Sequence, residues 1–157
     1  GGHVGRCVAL VADSLGWDYS IFDVRKEYSN SEKYPFSNEN ISTNVDDFLK
    51  SEDSESLERF SDILLLGHDW SVDQELLLGL LKLREGKIRP RIGAIGSTSK
   101  WSSFKKAAIE DGIKEKWFEN ARCPIGIDIG AETPEEIGLA VCAEILALDR
   151  KITHTEN

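Results

Sequence analysis

The sequence predicts an α/β fold: a doubly wound parallel sheet with helices on both faces, in three layers. Three observations support this prediction. Strand-like and helix-like segments alternate with short links, which is the pattern of β-α-β units. Residues 63–66 form an unbroken apolar run, as expected of a strand buried on both faces of a parallel sheet. The chain also opens with a glycine turn that leads directly into a helix.

The first third of the chain contains one clear helix and one short strand. The helix ends at Gly16, a position that tolerates a positive φ, and residues 19–23 form the strand. Residues 24–60 are polar and irregular, with a weak helix at 45–50 and a solvated loop at 51–56. The helix has an apolar stripe made of Val4, Cys7, Val8, Val11 and Leu15.

The middle of the chain continues the alternation. After the apolar run, Ser71 and Gln74 form a capping box, and a leucine-rich helix extends to about residue 83. Residues 91–95 form the next strand.

The last third of the chain is mainly helical. Helices are predicted over 99–110 and 113–120. The final helix has Thr133 as N-cap, Pro134 in the first position and Glu136 as the partner that completes a capping box. Its apolar face consists of Ile137, Val141, Ile145 and Leu148.

Length and composition limit the number of domains and the type of protein. The chain has 157 residues, of which 40% are hydrophobic and 30% charged, and this suits one domain over residues 1–157. It contains no Met and begins inside a glycine motif. We therefore expect a fragment that lacks a first strand and an N-terminal domain.

Charge and cysteine usage argue against several functions. A net charge of −9 would repel the phosphate backbone of a nucleic-acid partner. No apolar run approaches the ~20 residues of a membrane span, so no membrane role is expected. Cys7, Cys123 and Cys142 are scattered and odd in number, which suits a reducing cytoplasm. The histidines and cysteines show no zinc spacing, and no metal site is predicted.

The opening glycines indicate an anion-binding turn. Gly2 and Gly5 fit the second and third glycines of GxGxxG. In this motif Gly2 would let a pyrophosphate approach the backbone, and Gly5 would let the helix pack on the sheet. Asp23, at the end of the second strand, is placed for ribose hydroxyls. A nucleotide-type ligand is therefore predicted, and the alternative is a tight turn with a surface aspartate.

Three other segments follow strands, where open parallel sheets bind ligands in one crevice. Residues 96–100, with a glycine, three hydroxyls and Lys100, form either an anion site or an ordinary N-cap. His68-Asp69 could hydrogen-bond a ligand, move a proton or cap a loop. Cys123 could bind a soft metal or carry sulfur, although an inert loop thiol is the default.

These motifs occur in the order used by a known family. Residues 124–137, PIGIDIGAETPEEI, closely resemble the PIGLDIGAxTPEEIA signature of the C-terminal domain of the XdhC/CoxI family, the accessory factors of molybdenum hydroxylases such as xanthine dehydrogenase. Residues 2–5 resemble the family's GHV-type turn, and 23–25 its D-x-R strand end. Residues 67–69 and 95–100 resemble its THD-type strand end and IGSxxK loop.

The resemblance implies a Rossmann-like domain that binds the molybdenum cofactor, molybdopterin, without catalysing a reaction. Such a protein protects the cofactor during sulfuration by a cysteine desulfurase and delivers it to the apo-hydroxylase. Two positions depart from the family: Cys123 stands where many relatives have His, and Gly67 replaces Thr. The predicted cofactor-binding residues are Gly2, His3, Gly5, Asp23, Arg25, His68, Asp69, Gly96, Ser97, Lys100, Cys123 and Asp128.

Two other functions stay open, because fold alone does not decide function. An NAD(P)-dependent oxidoreductase would need a proton donor, and only His68-Asp69 fits that role. A regulatory nucleotide sensor would need none. The shortage of proton-transfer groups favours the accessory factor over the oxidoreductase. The oligomeric state is open, and a homodimer is one possibility.

Overall fold

The computed structural model describes residues 1–67 and 69–151, whereas His68 and residues 152–157 lie outside the described part. The chain forms two compact units. Unit 1 comprises Gly1–Ser42 and the chain from Ile125 onward, and unit 2 comprises Thr43–Pro124. The expectation of a single domain over residues 1–157 stays a prediction.

Helices and short strands alternate along the described residues. The helices are α1 (His3–Ser14), α2 (Val45–Ser51), α3 (Trp70–Arg84), α4 (Thr98–Glu110) and α5 (Pro134–Asp149). The strands are β1 (Ile21–Phe22), β2 (Asn40–Ile41), β3 (Asp62–Leu65), β4 (Arg91–Ala94) and β5 (Ala121–Arg122). Among the described helices, none has both the length and the apolar character needed to cross a bilayer.

Unit 1 contains α1, β1, β2 and α5. The two strands pair in parallel, with Ile21 opposite Asn40. The two helices approach closely at Gly138, where a Cβ would lie only 3.0 Å from the Cβ of Cys7. Beside this contact, the buried Cys142 thiol donates a hydrogen bond to the Val8 carbonyl at 3.7 Å. Small side chains therefore set the spacing between α1 and α5.

Unit 2 is built on a parallel sheet with the strand order β3-β4-β5. All four residues of the central strand β4 are buried. Asp62 and Arg91 are opposite each other in register and form a bidentate ion pair with both N···O distances at 2.8 Å. Parallel pairing in both units, together with the helices between the strands of unit 2, confirms the predicted α/β class.

The helix predicted over 113–120 is wrong. In its place there is a 3-10 turn over Glu115–Phe118. The buried guanidinium of Arg84 donates to the carbonyl oxygens of Trp117 and Glu119 at 2.7 and 2.8 Å. These two bonds hold the end of the 3-10 turn against the C-terminal end of α3.

The strand predictions were correct in part. The predicted strands 63–66 and 91–95 correspond to β3 and β4, but only Leu65 of β3 is buried, because β3 has a neighbour on one side within this sheet. The strand predicted over 19–23 is reduced to the two residues of β1. The strands β2 and β5 were missed, since two residues that include Asn40 or Arg122 give no apolar pattern.

The helix ends and faces also differ in part from the prediction. The capping box of Thr133 and Glu136 is confirmed, with both reciprocal bonds at 3.1 Å. The N-cap of α3 is Asp69, whose carboxylate accepts from the Ser71 amide at 2.8 Å, so the predicted box at Ser71 is wrong. In α1 the predicted stripe is only partly buried and Leu15 is exposed. The buried residues of α1 are Gly5, Cys7, Ala9 and Ala12.

Candidate functional site

The glycine turn of unit 1 presents an uncapped helix N-terminus. Gly2 is the N-cap of α1 in an extended conformation, and no described side chain accepts a hydrogen bond from the first turn. In contrast, α2, α3, α4 and α5 are each capped by a side chain. The first turn of α1 also contains no acidic residue. Free N–H donors with a positive partial charge are suited to an anionic group.

The glycines of this turn do not all have the roles predicted from the motif. A Cβ on Gly1 would overlap the Tyr28 carbonyl oxygen, so the tightest approach is at Gly1. A Cβ on Gly2 would meet only Arg25 Nη2, at 4.0 Å. A Cβ on Gly5 would have no described atom within 4 Å, so in the described part of the chain Gly5 is not the helix-packing glycine that the motif predicted.

Asp23 and Arg25 form one compact network at the carboxyl end of β1. The Arg25 side chain donates to both carboxylate oxygens of Asp23 at 3.0 Å, and its backbone amide donates at 2.9 Å. The Gly1 nitrogen donates to the same carboxylate at 3.1 Å. The guanidinium lies over the Tyr28 ring, 3.7 Å from its centre. Asp23 is therefore buried and paired, unlike the surface aspartate of the alternative prediction.

These contacts fix the charge of the pair. Burial alone would raise the pKa of Asp23, but the hydrogen bonds from Arg25 and from the Gly1 nitrogen outweigh it and lower the pKa to about 2. The carboxylate is therefore ionised at neutral pH. Because Arg25 neutralises it and lies near Gly2, the turn is not repulsive to an anion.

In unit 2, the carboxyl ends of the three strands bring predicted residues together. Asp69 follows β3, Gly96 and Ser97 follow β4, and Cys123 follows β5. Ser97 caps α4, since its hydroxyl accepts from the Lys100 amide at 3.2 Å. Gly96 has a φ of +142°, which a residue with a side chain rarely adopts. His68 was predicted to belong to this group but lies outside the described residues.

Lys100 is held inside unit 2 by a partner that the sequence analysis did not identify. Its ammonium lies 3.2 Å from the Asp73 carboxylate and donates to the Ile95 carbonyl at 2.9 Å. Both side chains are buried. The described contacts of Lys100 thus tie the start of α4 to α3 and to the end of β4.

Asp73 also explains Gly67. Burial raises the pKa of Asp73, and this is opposed by Lys100 and by a hydrogen bond from the Gly67 amide. A side chain at position 67 would overlap the Asp73 carboxylate, so the small residue is required beside this acid.

Cys123 is half-buried beside the α4 cap. Its thiol donates to the Ser97 carbonyl at 3.8 Å. Burial raises the pKa of this thiol, and the nearby Lys100 opposes that effect. At neutral pH the protonated form dominates, which matches the inert thiol of the sequence analysis more closely than an activated nucleophile.

The signature segment after residue 124 packs along α5. The Gly126 amide donates to Glu144 at 3.2 Å, and the Ile127 amide donates to the Ala140 carbonyl at 3.2 Å. A Cβ on Gly126 would lie 3.3 Å from that of Ala140. Asp128 is exposed and accepts from the Gly130 amide at 3.3 Å. Part of this motif therefore serves packing, a role that the sequence analysis missed.

The predicted site residues thus fall into two clusters. Unit 1 contains Gly2, His3, Gly5, Asp23, Arg25 and Asp128, whereas unit 2 contains Asp69, Gly96, Ser97, Lys100 and Cys123. His3 is exposed in the first turn of α1. That these residues bind one ligand stays a prediction.

Comparisons with known proteins agree on the family and the fold. A family model described as the XdhC Rossmann domain matches residues 1–145. The "uncharacterized protein YqeB" of Escherichia coli strain K12 is 34% identical over 145 residues, which are 92% of this chain and 25% of that protein. The chain therefore spans a quarter of the length of that relative.

A solved structure has the same fold. The crystal structure described as a xanthine dehydrogenase from Bacillus halodurans matches with a TM-score of 0.77 and 24% identity, over 96% of this chain and 42% of that chain. At this identity the likeness shows the fold alone, a Rossmann-type α/β fold.

Proposed function

Because this chain belongs to the XdhC Rossmann-domain family, we propose that it is the cofactor-holding part of an accessory factor for a xanthine dehydrogenase-type molybdenum hydroxylase. It binds the molybdenum cofactor, assists its sulfuration by a cysteine desulfurase, and supports its insertion into the hydroxylase. The role is one of binding and not of catalysis. The observation that carries the proposal is the uncapped N-terminus of α1 at Gly2, with Arg25 beside it.

The chemistry of the turn supports an anionic ligand. The N-terminus of α1 has a partial positive charge and free N–H donors, and Arg25 adds a guanidinium that is 27% exposed. Molybdopterin has a phosphate or a dinucleotide tail, and either would be bound by these groups. Two described groups beside this turn could transfer a proton: the exposed His3, and Tyr34, whose hydroxyl already donates to the Gly1 carbonyl at 2.9 Å. This small set favours holding a ligand over transforming it.

Arg25 provides a direct test. We expect Arg25→Gln to reduce the pterin that co-purifies with the full-length protein by about tenfold or more, since a charged hydrogen bond contributes about 1.5–3 kcal/mol. Lys26→Gln is the matched control, because Lys26 is the next residue, has the same charge and is exposed. Equal pterin content in wild type and Arg25→Gln, with both proteins folded, would exclude this turn as the binding site.

The cellular role is tested by deletion. Without the gene, the hydroxylase should be expressed but should lack sulfurated cofactor, and reintroducing the full-length protein should restore its activity. Normal hydroxylase activity in the deletion strain would contradict the accessory role.

The alternative is an NAD(P)-dependent oxidoreductase. The observation that favours it is Asp23 at the end of β1, where an acid can bind the ribose hydroxyls of a dinucleotide. In that case we expect Asp23→Asn to weaken the binding of NAD measured by calorimetry, because the carboxylate would accept hydrogen bonds from the ribose hydroxyls. An NAD affinity unchanged in Asp23→Asn would remove Asp23 from the site. Steady NAD(P)H turnover by the purified protein would favour the oxidoreductase over the accessory factor.

A further inference from the structure

Three side chains that are potential metal ligands lie together at one end of the α1–α5 contact in unit 1. They are His3 and Cys7, four residues apart on α1, and Glu135 in the first turn of α5. One ligand atom from each lies within 4.8 Å of the other two. Residues at i and i+4 share a face of a helix, which is why His3 and Cys7 both face the same space.

We propose that His3, Cys7 and Glu135 form a three-ligand site for a borderline-soft divalent cation of the zinc type, with one coordination position open. Imidazole, thiolate and carboxylate are the three ligand types that zinc uses in proteins. Sites that keep an open fourth position typically have three protein ligands. The inference does not depend on the proposed function.

The distance between the Cys7 and Glu135 ligand atoms fits a tetrahedral ion. Cys7 Sγ and Glu135 Oε2 are 3.7 Å apart. Typical Zn–S and Zn–O bonds of about 2.3 and 2.1 Å at a tetrahedral angle place the two ligand atoms roughly 3.6 Å apart. His3 is exposed, so its ring can reorient without displacing the core. The His3 ligand atom lies within 4.8 Å of the other two, and reorientation of its side chain would bring it to bonding distance.

The backbone that supports two of the ligands is fixed. Gly138 is one turn after Glu135 on α5, and a Cβ at this position would lie 3.0–3.1 Å from backbone atoms of Cys7 and Val8. A larger residue at position 138 would push Glu135 away from Cys7. The relative position of these two ligands is therefore determined by helix packing and not by flexible loops.

In the metal-free protein, a proton takes the place of the cation. The Cys7 thiol donates a hydrogen bond to Glu135 Oε2, so these two ligand atoms are already in contact without the cation. When the cation binds, the S–H bond breaks, the sulfur bonds to the metal, and one proton is released to solvent.

Charge also favours a cation at this position. The thiolate and carboxylate together supply two negative charges. The N-termini of α1 and α5 have partial positive charges that oppose a cation, but they also stabilise these two anionic ligands. The net charge of the ligand set stays negative.

Titration with Co²⁺ tests the proposal, because cobalt bound to a thiolate shows a charge-transfer band that zinc then abolishes by displacement. We expect one Co²⁺ per chain, release of about one proton, and competition by Zn²⁺. His3→Ala and Glu135→Gln change exposed side chains and should weaken binding by at least about tenfold. Cys7→Ser should remove the band.

Matched controls separate this site from adventitious binding. Cys123→Ser and Glu132→Gln change the same residue types elsewhere in the chain and should leave the band and the affinity unchanged. Absence of the band in the folded wild-type protein would overturn the proposal. So would a band that survives in Cys7→Ser or an affinity unchanged in both His3→Ala and Glu135→Gln.

Discussion

At the scale of single residues, the glycines show what a motif can and cannot predict. The spacing of Gly2 and Gly5 correctly indicated a turn into a helix, but the unit 1 glycines with the least room for a side chain are Gly1 and Gly138. A motif records which residues stand near one another in sequence. It does not record that α5, more than a hundred residues later, lies against Cys7.

The different surroundings of Gly138 and Gly5 predict opposite effects of an alanine substitution on the free energy of unfolding. Gly138→Ala should destabilise the chain by about 1–3 kcal/mol, because its Cβ would press against the backbone of Cys7. Gly5→Ala should be neutral or stabilising by up to about 1 kcal/mol, because it improves the helix propensity of α1 and meets no described atom. Urea denaturation of the two variants checks this. A larger loss in Gly5→Ala than in Gly138→Ala would show the reverse packing.

The His3–Cys7–Glu135 cluster was missed for the same reason. Cys7 and Glu135 are 128 positions apart, so no local spacing of histidines and cysteines reveals them as neighbours. The only signal in the sequence was the i, i+4 pair of His3 and Cys7, and that pair alone is common on helices.

At the scale of elements, local signals predicted helix boundaries well where the capping residues act within one turn. The box of Thr133 and Glu136 is an example, since both partners lie three residues apart. Long-range partners were not predictable. Lys100 was interpreted as an anion-binding residue from its place after Gly96, whereas its described partners are Asp73 and the Ile95 carbonyl.

The buried pair of Asp73 and Lys100 predicts a specific pattern of stability. Lys100→Met should cost about 3–5 kcal/mol, because it leaves the Asp73 carboxylate buried without a counter-charge. Replacing both residues, as Asp73→Leu with Lys100→Met, should recover most of the loss. The free energy of unfolding of the two variants, measured in urea, checks the expectation.

The pH dependence of the single variant provides a further check. Burial raises the pKa of Asp73 above its unfolded value of 3.8, so the folded protein is favoured when this group is protonated and loses stability as pH rises. Removing Lys100 should enlarge that loss. A Lys100→Met variant that is as stable as wild type at pH 7 would show that the pair is not needed for the fold.

At the scale of the whole molecule, the alternation of segments was enough to predict the α/β class, because helices and strands differ in their apolar period. It was not enough for the short strands. β1, β2 and β5 have two residues each, and their pairing depends on neighbours far away in sequence. The sequence predicted the cofactor-binding residues as a set, but it gave no information on which of them are already paired, as Asp23 is with Arg25.

Acid stability should reflect the charge of the whole chain together with the buried Asp23 carboxylate. With a net charge of −9 and a pI of about 4.9, acidification from neutral pH first reduces the repulsion between negative charges. At lower pH, protonation of Asp23 reduces the stability of the folded protein, which is opposite to the effect of reduced charge repulsion. Its pKa of about 2 lies below the unfolded value of 3.8, so its stabilisation is complete above pH 3.8 and is lost as pH falls through about 2.

We therefore expect wild type to be most stable near pH 5 and to lose stability between pH 4 and pH 2. Asp23→Asn should have a lower urea midpoint than wild type at pH 5, because the ion pair with Arg25 is gone, and the two midpoints should converge as pH approaches 2. Asp18→Asn is the control, since Asp18 is exposed, and its midpoint should follow wild type throughout. A difference between wild type and Asp23→Asn that stays constant from pH 5 to pH 2 would mean that the Asp23 carboxylate does not titrate in this range, and that its contacts with Arg25 do not stabilise the charged form.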